Sequence, residues 1–280
     1  MAMSLVTNVG SLNAQRNLAK TGQTLNKTLA QLSSGLRINK ASDDAAGLAI
    51  SENLKAQIRG LGQAERNAND GVSLLQTAEG AMNEVSGIMG RMRELAVQSS
   101  SDTLSDTERG FAQQEFAALM SEVDRIAAVT EFNGTQLVDG SATNIEFQVG
   151  IHNTADDRIS VAIADMTSGT LGTGGGGAAL STVAVDTKAG AQAALDVIDA
   201  AITDVSSGRA DIGAAENRLQ VTVSNLASAR ENLSAANSRI RDVDVASATA
   251  ELTRASILQQ AGASVLAQAN QAPSLALSLI

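Results

Sequence analysis

The strongest constraint on the fold is a seven-residue ladder of large aliphatic side chains in the last third of the sequence. The ladder consists of Ile198, Val205, Ile212, Leu219, Leu226, Leu233 and Ile240. A repeat of this length predicts an α-helix that packs against another helix along most of its length. At about 1.5 Å per residue, the helix would extend roughly 65 Å, which exceeds the width of a compact domain. We therefore expect a rod-like arrangement in which these seven residues form the core of a layer of long helices.

The composition favours thin seams between helices over a thick core. The 280 residues include four Phe and no Tyr or Trp, whereas thick cores usually contain aromatic as well as aliphatic side chains. A small side chain stands three residues after each of the first six rungs of the ladder, so a neighbouring backbone can approach closely. Pro273 is the only proline, and long helices are therefore free of proline interruptions.

Charge and cysteine content narrow the classes of partner. The formal net charge is −10, and nucleic acid or an anionic membrane requires a cationic face, so we expect neither as a partner. The sequence has no Cys, which excludes disulfides, thiolate nucleophiles and cysteine zinc sites. The first ten residues lack the basic and apolar regions of a secretory signal, and we expect any export to use another route.

Both ends of the chain carry apolar residues at helical spacing, which predicts that the two ends pair along one seam. The seam residues are Leu18, Leu25, Leu29, Leu32, Leu36, Leu252, Leu258, Val265 and Leu266. The N-terminal helix should end at Gly35, and Ser42 should cap the helix that follows.

The hydrophobic period changes in the middle of the chain. Helical patterns over residues 61–96 and 112–130 give way to a region with turn dipeptides. Residues 145–149 and 159–163 then alternate between apolar and polar side chains, which predicts two short β-strands.

A stretch of small residues follows the predicted strands. From Thr167 to Lys188 the chain is mainly Gly, Ser, Thr and Ala, and we expect a loop there, at the tip of the molecule. The fold class that we predict is mainly α: a long helical-bundle or coiled-coil rod formed by both chain ends, with a small β-hairpin region near the middle of the chain.

Several motifs, taken in order, closely resemble the terminal regions of bacterial flagellins. They are SSGLRIN at 33–39, DDAAG at 43–47, RMRELAVQ at 91–98, FNG at 132–134, ILQQAG at 257–262 and VLAQAN at 265–270. Several independent motifs in the right order are more specific than one short pattern. The resemblance covers nearly everything except the tip that is rich in Gly, Ser and Thr, which makes the chain similar to a short flagellin with minimal outer domains.

The resemblance implies a layered subunit whose two ends line the central channel of a filament and become ordered on assembly. Residues 1–42 would form an N-terminal inner helix that pairs with residues 243–280. Residues 43–130 and 193–242 would supply the long helices of a middle layer, and residues 131–192 would form the β-hairpin region and the tip.

The function that the resemblance implies is structural: a secreted, extracellular subunit that self-assembles into the hollow helical filament of the bacterial flagellum for swimming motility. The expected partners are further copies of the chain, a flagellar export chaperone, the type III export apparatus, and the filament cap and hook–filament junction proteins. The alternatives are a hook–filament junction protein and a cytoplasmic coiled-coil adaptor. An adaptor would form a small discrete oligomer, whereas head-to-tail contacts that do not close give a filament.

Three residues match flagellin positions that contact a vertebrate Toll-like receptor, namely Arg91, Leu95 and Glu115. The same residues lie on helix faces that subunit packing would use. In flagellins of the gut-bacterial type, which this receptor recognises, a longer polar residue stands at the position of Gly90. The resemblance is therefore incomplete at this candidate receptor epitope.

No set of residues predicts catalysis, a cofactor or a metal ion, and we expect no enzyme. Residues 172–177 satisfy a GxGxxG pattern, but no long helix follows directly, which favours a flexible linker over a nucleotide site. His152 is the only histidine, and no patterned base or nucleophile accompanies it, so we expect a solvated turn residue. Asp242 and Asp244 lack the glycine and ligand spacing of a calcium loop, which favours a polar helix junction.

Overall fold

The computed structural model describes residues 7–174 and 177–277, and the described part is mainly helical. Its five α-helices are α1 (Val9–Ser34), α2 (Ala45–Ser99), α3 (Asp106–Val129), α4 (Lys188–Arg241) and α5 (Val245–Leu277). Four short strands lie between α3 and α4: β1 (Glu131–Phe132), β2 (Thr135–Gln136), β3 (Ile145–Gln148) and β4 (Arg158–Val161). The strands form two antiparallel pairs, β1 with β2 and β3 with β4. The predicted fold class, long helices with a small β-hairpin region, is confirmed.

The chain divides into two compact units. The middle unit runs from Arg59 to Arg230. The terminal unit combines the chain up to Ile58 with the chain from Glu231 onward, so it contains α1, the start of α2, the end of α4 and α5.

The core of the middle unit lies between the long helices. Its fully buried side chains include Leu75, Met82, Met89, Met92, Phe116, Val123, Ile198 and Ile212. In this unit α2 and α4 run antiparallel, since Glu79 faces Arg209 (3.5 Å) and Arg93, further along α2, pairs with the earlier Asp199 (2.7 Å). The Asp199 carboxylate raises the pKa of the Arg93 guanidinium, mainly through this hydrogen bond. Methionine and aliphatic side chains thus replace aromatic ones in the interior, as the composition predicts.

The turn between α2 and α3 is built around a buried arginine. The Arg109 guanidinium donates to the backbone carbonyls of Ser99 (2.8 Å) and Ser101 (2.6 Å), and so satisfies carbonyls at the C-terminal end of α2. Ser105 and Glu108 form a capping box at the start of α3, and hydrogen bonds from Ser105 hold the pKa of the Glu108 carboxyl below its usual range.

The glycine-rich segment before α4 has no long helix or strand in its described part, and it packs against the middle unit. Leu171, Leu180 and Val185 are buried in the core of the middle unit, and both the backbone N–H and the hydroxyl of Ser168 donate to Asp124 (2.8 Å each). The described part of this segment therefore packs on the helices, because its few aliphatic side chains provide anchors that the overall composition conceals.

At the boundary between α1 and α2 the structure confirms one predicted signal and corrects another. Gly35 ends α1 with a positive φ of 71°, a left-handed conformation that glycine adopts without strain. However, Asp44, and not Ser42, caps α2: its carboxylate accepts a hydrogen bond from the Gly47 N–H (2.9 Å). The Asp43 N–H donates to the Lys40 carbonyl, so Ser42 lies inside a tight turn, two positions too early to cap the first helical turn.

Candidate assembly interface

Helices α1 and α5 lie antiparallel and bring the two ends of the chain together. The Asn8 side-chain amide donates to the carbonyl of Ala269 (2.7 Å), and the Ser11 hydroxyl donates to the side-chain oxygen of Asn270 (2.7 Å). Further along α1, Leu18 lies so close to Gly262 that a Cβ added there would come within 2.9 Å of the leucine Cδ1. These contacts place the two helices side by side within one subunit.

The buried side chains of the α1–α5 pair are small or polar, and the leucines that line it are only half-buried. Its buried residues are Ser11, Thr28, Ala248 and Ala255. On α5 the contact positions recur every seven residues as Ala248, Ala255, Gly262 and Ala269, and on α1 they recur as Ser11, Leu18, Leu25 and Leu32. Hydrophobic stabilisation scales with the apolar area removed from water, and alanine and serine contribute little such area. The pair is therefore held together only weakly by its own interior.

The nine predicted seam residues fall into two groups. Six of them are half-buried: Leu18, Leu25, Leu32, Leu36, Leu252 and Leu266. The other three are exposed, namely Leu29 (46%), Leu258 (52%) and Val265 (54%). Val9, Leu12, Val245 and Ile257 are exposed large aliphatic residues of the same helices that the sequence analysis missed. We call Val9, Leu12, Leu29, Val245, Ile257, Leu258 and Val265 the outer apolar set.

Helix geometry explains why one predicted stripe divides in two. A helix turns by about 100° per residue, so side chains three and four positions after a contact residue lie on opposite sides of it. Leu266 follows Gly262 by four positions and is half-buried, whereas Val265 follows it by three and is exposed. Helix α1 covers the side of α5 that carries Leu266 and leaves the side that carries Val265 open. The apolar spacing alone does not show which side is covered.

The predicted middle-layer ladder lies on α4. Its first five rungs are buried: Ile198, Val205, Ile212, Leu219 and Leu226. Leu233 and Ile240, which belong to the terminal unit, are half-buried. Gly208 lies within a close approach, since a Cβ added there would meet Ala164 at 3.1 Å and the Met166 methyl at 3.2 Å.

The structure separates the three residues of the candidate receptor epitope. Arg91 is exposed on α2 and pairs with both Glu94 and Glu115 (2.8 Å each), and these carboxylates raise the pKa of its guanidinium, with Glu94 the larger cause. Leu95 is only 2% exposed and supports the core of the middle unit. In this conformation Arg91 and Glu115 are exposed, whereas Leu95 is not available at the surface of the free subunit.

The remaining sequence candidates have structural roles. The Gly172 N–H, part of the GxGxxG pattern, donates to the carboxylate of Asp204 (2.9 Å), so a negatively charged side chain already occupies the place that a phosphate would need. His152 is exposed, and its backbone N–H donates to Asp157 (2.8 Å). Asp244 caps α5 by accepting from the Ala246 N–H (3.0 Å), as a polar helix junction requires.

Two searches of the described residues bear on other functions. Within residues 7–174 and 177–277, no group of three or more His, Asp or Glu side chains lies close enough to hold a metal ion. None of the helices in the same part of the chain is long and apolar enough to cross a bilayer.

Long antiparallel helices, paired terminal helices and an exposed apolar set are typical of the class of elongated helical structural proteins. Comparison with known proteins identifies the family within this class. Residues 5–143 match the family model described as the bacterial flagellin N-terminal helical region, and residues 195–280 match the bacterial flagellin C-terminal helical region.

Two curated relatives match over nearly their whole length. A flagellin from Halalkalibacterium halodurans is 46% identical over 273 residues, which cover 98% of each chain. The flagellar filament 33 kDa core protein of Treponema phagedenis is 41% identical over 283 residues, again covering 98% of each chain. A flagellar hook-associated protein from Vibrio parahaemolyticus shares the fold, with a TM-score of 0.59 at 16% identity over 71% of this chain and 100% of that one.

The chain belongs to the bacterial flagellin family. It is a structural subunit of the bacterial flagellar filament, exported and extracellular, and not an enzyme. The hook-associated relative, at 16% identity, supports the shared fold alone, so the alternative of a junction protein gains nothing from it.

Proposed function

We propose that the outer apolar set makes the contacts between subunits in the filament, while the half-buried seam holds α1 and α5 together within each subunit. The observation that carries this proposal is that the α1–α5 pair buries small side chains and exposes several large aliphatic ones. Small residues such as Ala255 lie inside it, and large aliphatic residues such as Leu258 lie outside. Single exposed aliphatic side chains are ordinary, but several on one pair of helices are typical of an interaction surface.

Assembly would complete the core that one subunit cannot build alone. Covering the outer apolar set removes its area from water, at about 25 cal/mol per Å², and any partner that binds only the ordered helices stabilises them. A terminal helix with a weak interior gains most from such cover. The helical order of the two ends is therefore coupled to the addition of neighbouring subunits.

The proposal assigns the layers of the filament by segment. Residues 1–42 and 243–280, of which 1–6 and 278–280 lie outside the described residues, are assigned to the inner coiled coil around the channel. Residues 43–130 with 193–242 are assigned to the middle layer. Residues 131–192 contribute the β-hairpin region and the tip. The contacts between α1 and α5 and the buried ladder on α4 support this division, although α4 begins at Lys188, inside the segment given to the tip.

Further partners follow from the family. A flagellar export chaperone and the type III export apparatus would meet the chain before assembly, and the cap and hook–filament junction proteins would meet it at the ends of the filament. A vertebrate Toll-like receptor would meet the free subunit through Arg91 and Glu115, whose exposure in the described structure supports this role.

The test is seeded elongation with a double variant, Leu258→Ser with Val265→Ser. We expect the free subunit to keep its melting temperature, because both side chains are already more than half exposed. Filament growth from short wild-type seeds, followed by light scattering and negative-stain electron microscopy, should fall at least tenfold. The matched control is Gln260→Ser, an exposed polar residue of the same helix, which should elongate normally.

Growth of the double variant at the wild-type rate would show that this face is not an assembly contact. The same micrographs separate the alternatives for the wild-type chain: long filaments of uniform width identify a filament subunit, whereas short stacks that stop growing identify a junction protein.

A further inference from the structure

The loops that join the terminal helices to the long helices are bound to each other. Leu36 and Asp242 form an isolated antiparallel β-bridge. The Val243 N–H donates to the Gly35 carbonyl (3.0 Å), and the Arg37 N–H donates to the Arg241 carbonyl (2.6 Å). The Arg37 guanidinium also reaches the Ile240 carbonyl (2.6 Å), which is at the C-terminal end of α4. We call residues 35–37 and 240–243 the junction clasp.

Side chains in the first turns of α2 hold the junction clasp in place. Arg241 donates to the hydroxyl of Ser51 (3.4 Å) and pairs with Glu52. The Ser51 hydroxyl in turn donates to Asn237 on α4 (2.7 Å), and Ser51 is fully buried. All of these residues belong to the terminal unit, so the position of the clasp is set by helices other than α1 and α5.

The clasp is also supported from the α1 side. The Gln31 side-chain amide donates to the Arg37 carbonyl (2.7 Å), and the Asn39 amide donates to the carbonyls of Leu36 (3.2 Å) and Ala30 (3.3 Å). The chain that leaves α1 is therefore held in one conformation before it reaches Arg241.

The contacts of α1 with α5 continue the register of the clasp. Moving away from the Leu36–Asp242 bridge, Leu18 meets Gly262 and Ser11 meets Asn270. The interior of the pair does little to define this register by itself, because its contact residues on α5 are small and recur every seven positions. A slide by seven residues would place another small residue, Ala255, opposite Leu18, and the flexible end of the leucine can shift to accept the added Cβ.

We propose that the junction clasp sets the register of the α1–α5 pair, with Arg37 and Arg241 as positioning residues for assembly. Pairing of the terminal helices begins at the clasp and proceeds outward to Ser11 and Asn270. Only this register places the outer apolar set of both helices in one fixed arrangement that neighbouring subunits can match. The part concerning neighbours rests on the proposed assembly role, whereas the register itself does not.

The absence of cysteine from the sequence allows a direct measurement of the register. Ser11→Cys with Asn270→Cys reports the observed register, because the two side chains are in contact. Ser11→Cys with Ala263→Cys reports a slide by one heptad. Each pair is treated with a short thiol crosslinker in wild-type-seeded filaments and in the free subunit, and denaturing gels separate crosslinks within one chain from those between chains.

Two variants weaken the clasp in different ways. Arg37→Ala removes the guanidinium contact with Ile240, and Val243→Pro removes the N–H that binds Gly35 at a position before α5 begins. In both, we expect the ratio of the observed to the slipped crosslink within one chain to fall about fivefold, as the loss of one or two hydrogen bonds implies. Arg37→Lys should recover part of the ratio. Arg16→Ala, an exposed arginine of α1 outside the clasp, should leave it unchanged.

A wild-type ratio in both clasp variants would overturn the proposal. The proposal would also be overturned if the crosslinks of the observed and the slipped register decreased together in the clasp variants. That result would show that the clasp stabilises the pair without setting its register. If the register shifts as expected while filaments still elongate normally, the register inference stands and the proposed role of the outer apolar set in assembly fails.

Discussion

The middle unit and the α1–α5 pair are both built from long antiparallel helices, but they differ in what they bury. In the middle unit the α4 ladder is inside, with Ile198, Ile212 and Leu219 fully buried. In the terminal pair the buried residues are alanine, serine and threonine, the seam leucines are only half-buried, and the outer apolar set is exposed. The middle unit buries its large aliphatic side chains within one subunit, whereas the terminal pair leaves many of its own exposed or only half-buried.

The difference shows that a seven-residue apolar repeat does not by itself state which partner covers it. On α4 the ladder is covered by the same chain, since α2, α3 and the tip segment surround it. On α5 the corresponding residues Leu258 and Val265 remain 52% and 54% exposed. We therefore expect stability and assembly to depend on different helices of one subunit.

The largest expected effect comes from truncating one ladder residue in each region. Ile212→Ala removes a fully buried side chain and should lower the free energy of unfolding by about 2–5 kcal/mol. Leu258→Ala, at a site that is 52% exposed, should change it by less than about 0.5 kcal/mol. Urea unfolding of the free subunits, followed by far-UV circular dichroism, measures both.

Equal losses in the two variants would contradict the comparison, because Leu258 would then be part of a finished core. In wild-type-seeded elongation the order should reverse under conditions where both proteins are folded, with Leu258→Ala the slower of the two.

Much of the helical layout could be predicted from the sequence, since it depends on local signals. The helix end at Gly35 and the strands near Ile145 and Ile159 follow from glycine chemistry and from apolar alternation. The capping residue of α2 was predicted two positions too early, because Ser42 and Asp44 are equally good caps and a tight turn decides between them.

The sequence was less informative where long-range packing decides. It did not reveal that Leu95 is buried, or that the glycine-rich segment docks through Leu171 and Leu180. Nor did it divide the terminal stripe into half-buried and outer residues, since that depends on which side of α5 is covered by α1. Each of these outcomes is set by a partner distant in sequence.

Helix α2 has glycines on both its packed face and its open outer face, and substitutions on the two faces should have opposite effects on stability. On α2, a Cβ added at Gly71 would meet the Phe147 ring at 2.9 Å, whereas nothing lies within 4 Å of a Cβ added at Gly87. Gly71→Ala should therefore destabilise the free subunit by about 1–3 kcal/mol through overpacking. Gly87→Ala should stabilise it by up to about 1 kcal/mol, since alanine is the better helix former. Thermal unfolding of both variants measures the difference, and the same sign for both would contradict the assigned packing.

The smallest expected effect concerns a polar defect in the otherwise finished middle unit. Glu216 on α4 has a buried carboxylate oxygen that finds no hydrogen-bond partner among the described residues. Burial, and then the negative charge of Glu79, raise the pKa of the Glu216 carboxyl. Arg209 faces Glu79 at 3.5 Å, too far for a strong hydrogen bond. The charged form of Glu216 is thus poorly accommodated in the folded subunit.

Glu216→Gln should therefore stabilise the free subunit at pH 7, by about 0.5 kcal/mol, because the group is partly exposed and screened by solvent. The sign follows from linkage: when the folded pKa of an acid lies above its unfolded value, the folded state binds the extra proton and stability falls as pH rises through that window. The gain should accordingly shrink as the pH is lowered through the unfolded value near 4.5, where Glu216 becomes neutral in both states. Urea unfolding at a series of pH values measures the gain, with Glu84→Gln, an exposed carboxylate of α2, as the control. A gain that stays constant down to acid pH would show that volume or hydrogen bonding, and not charge, makes Glu216 unfavourable there.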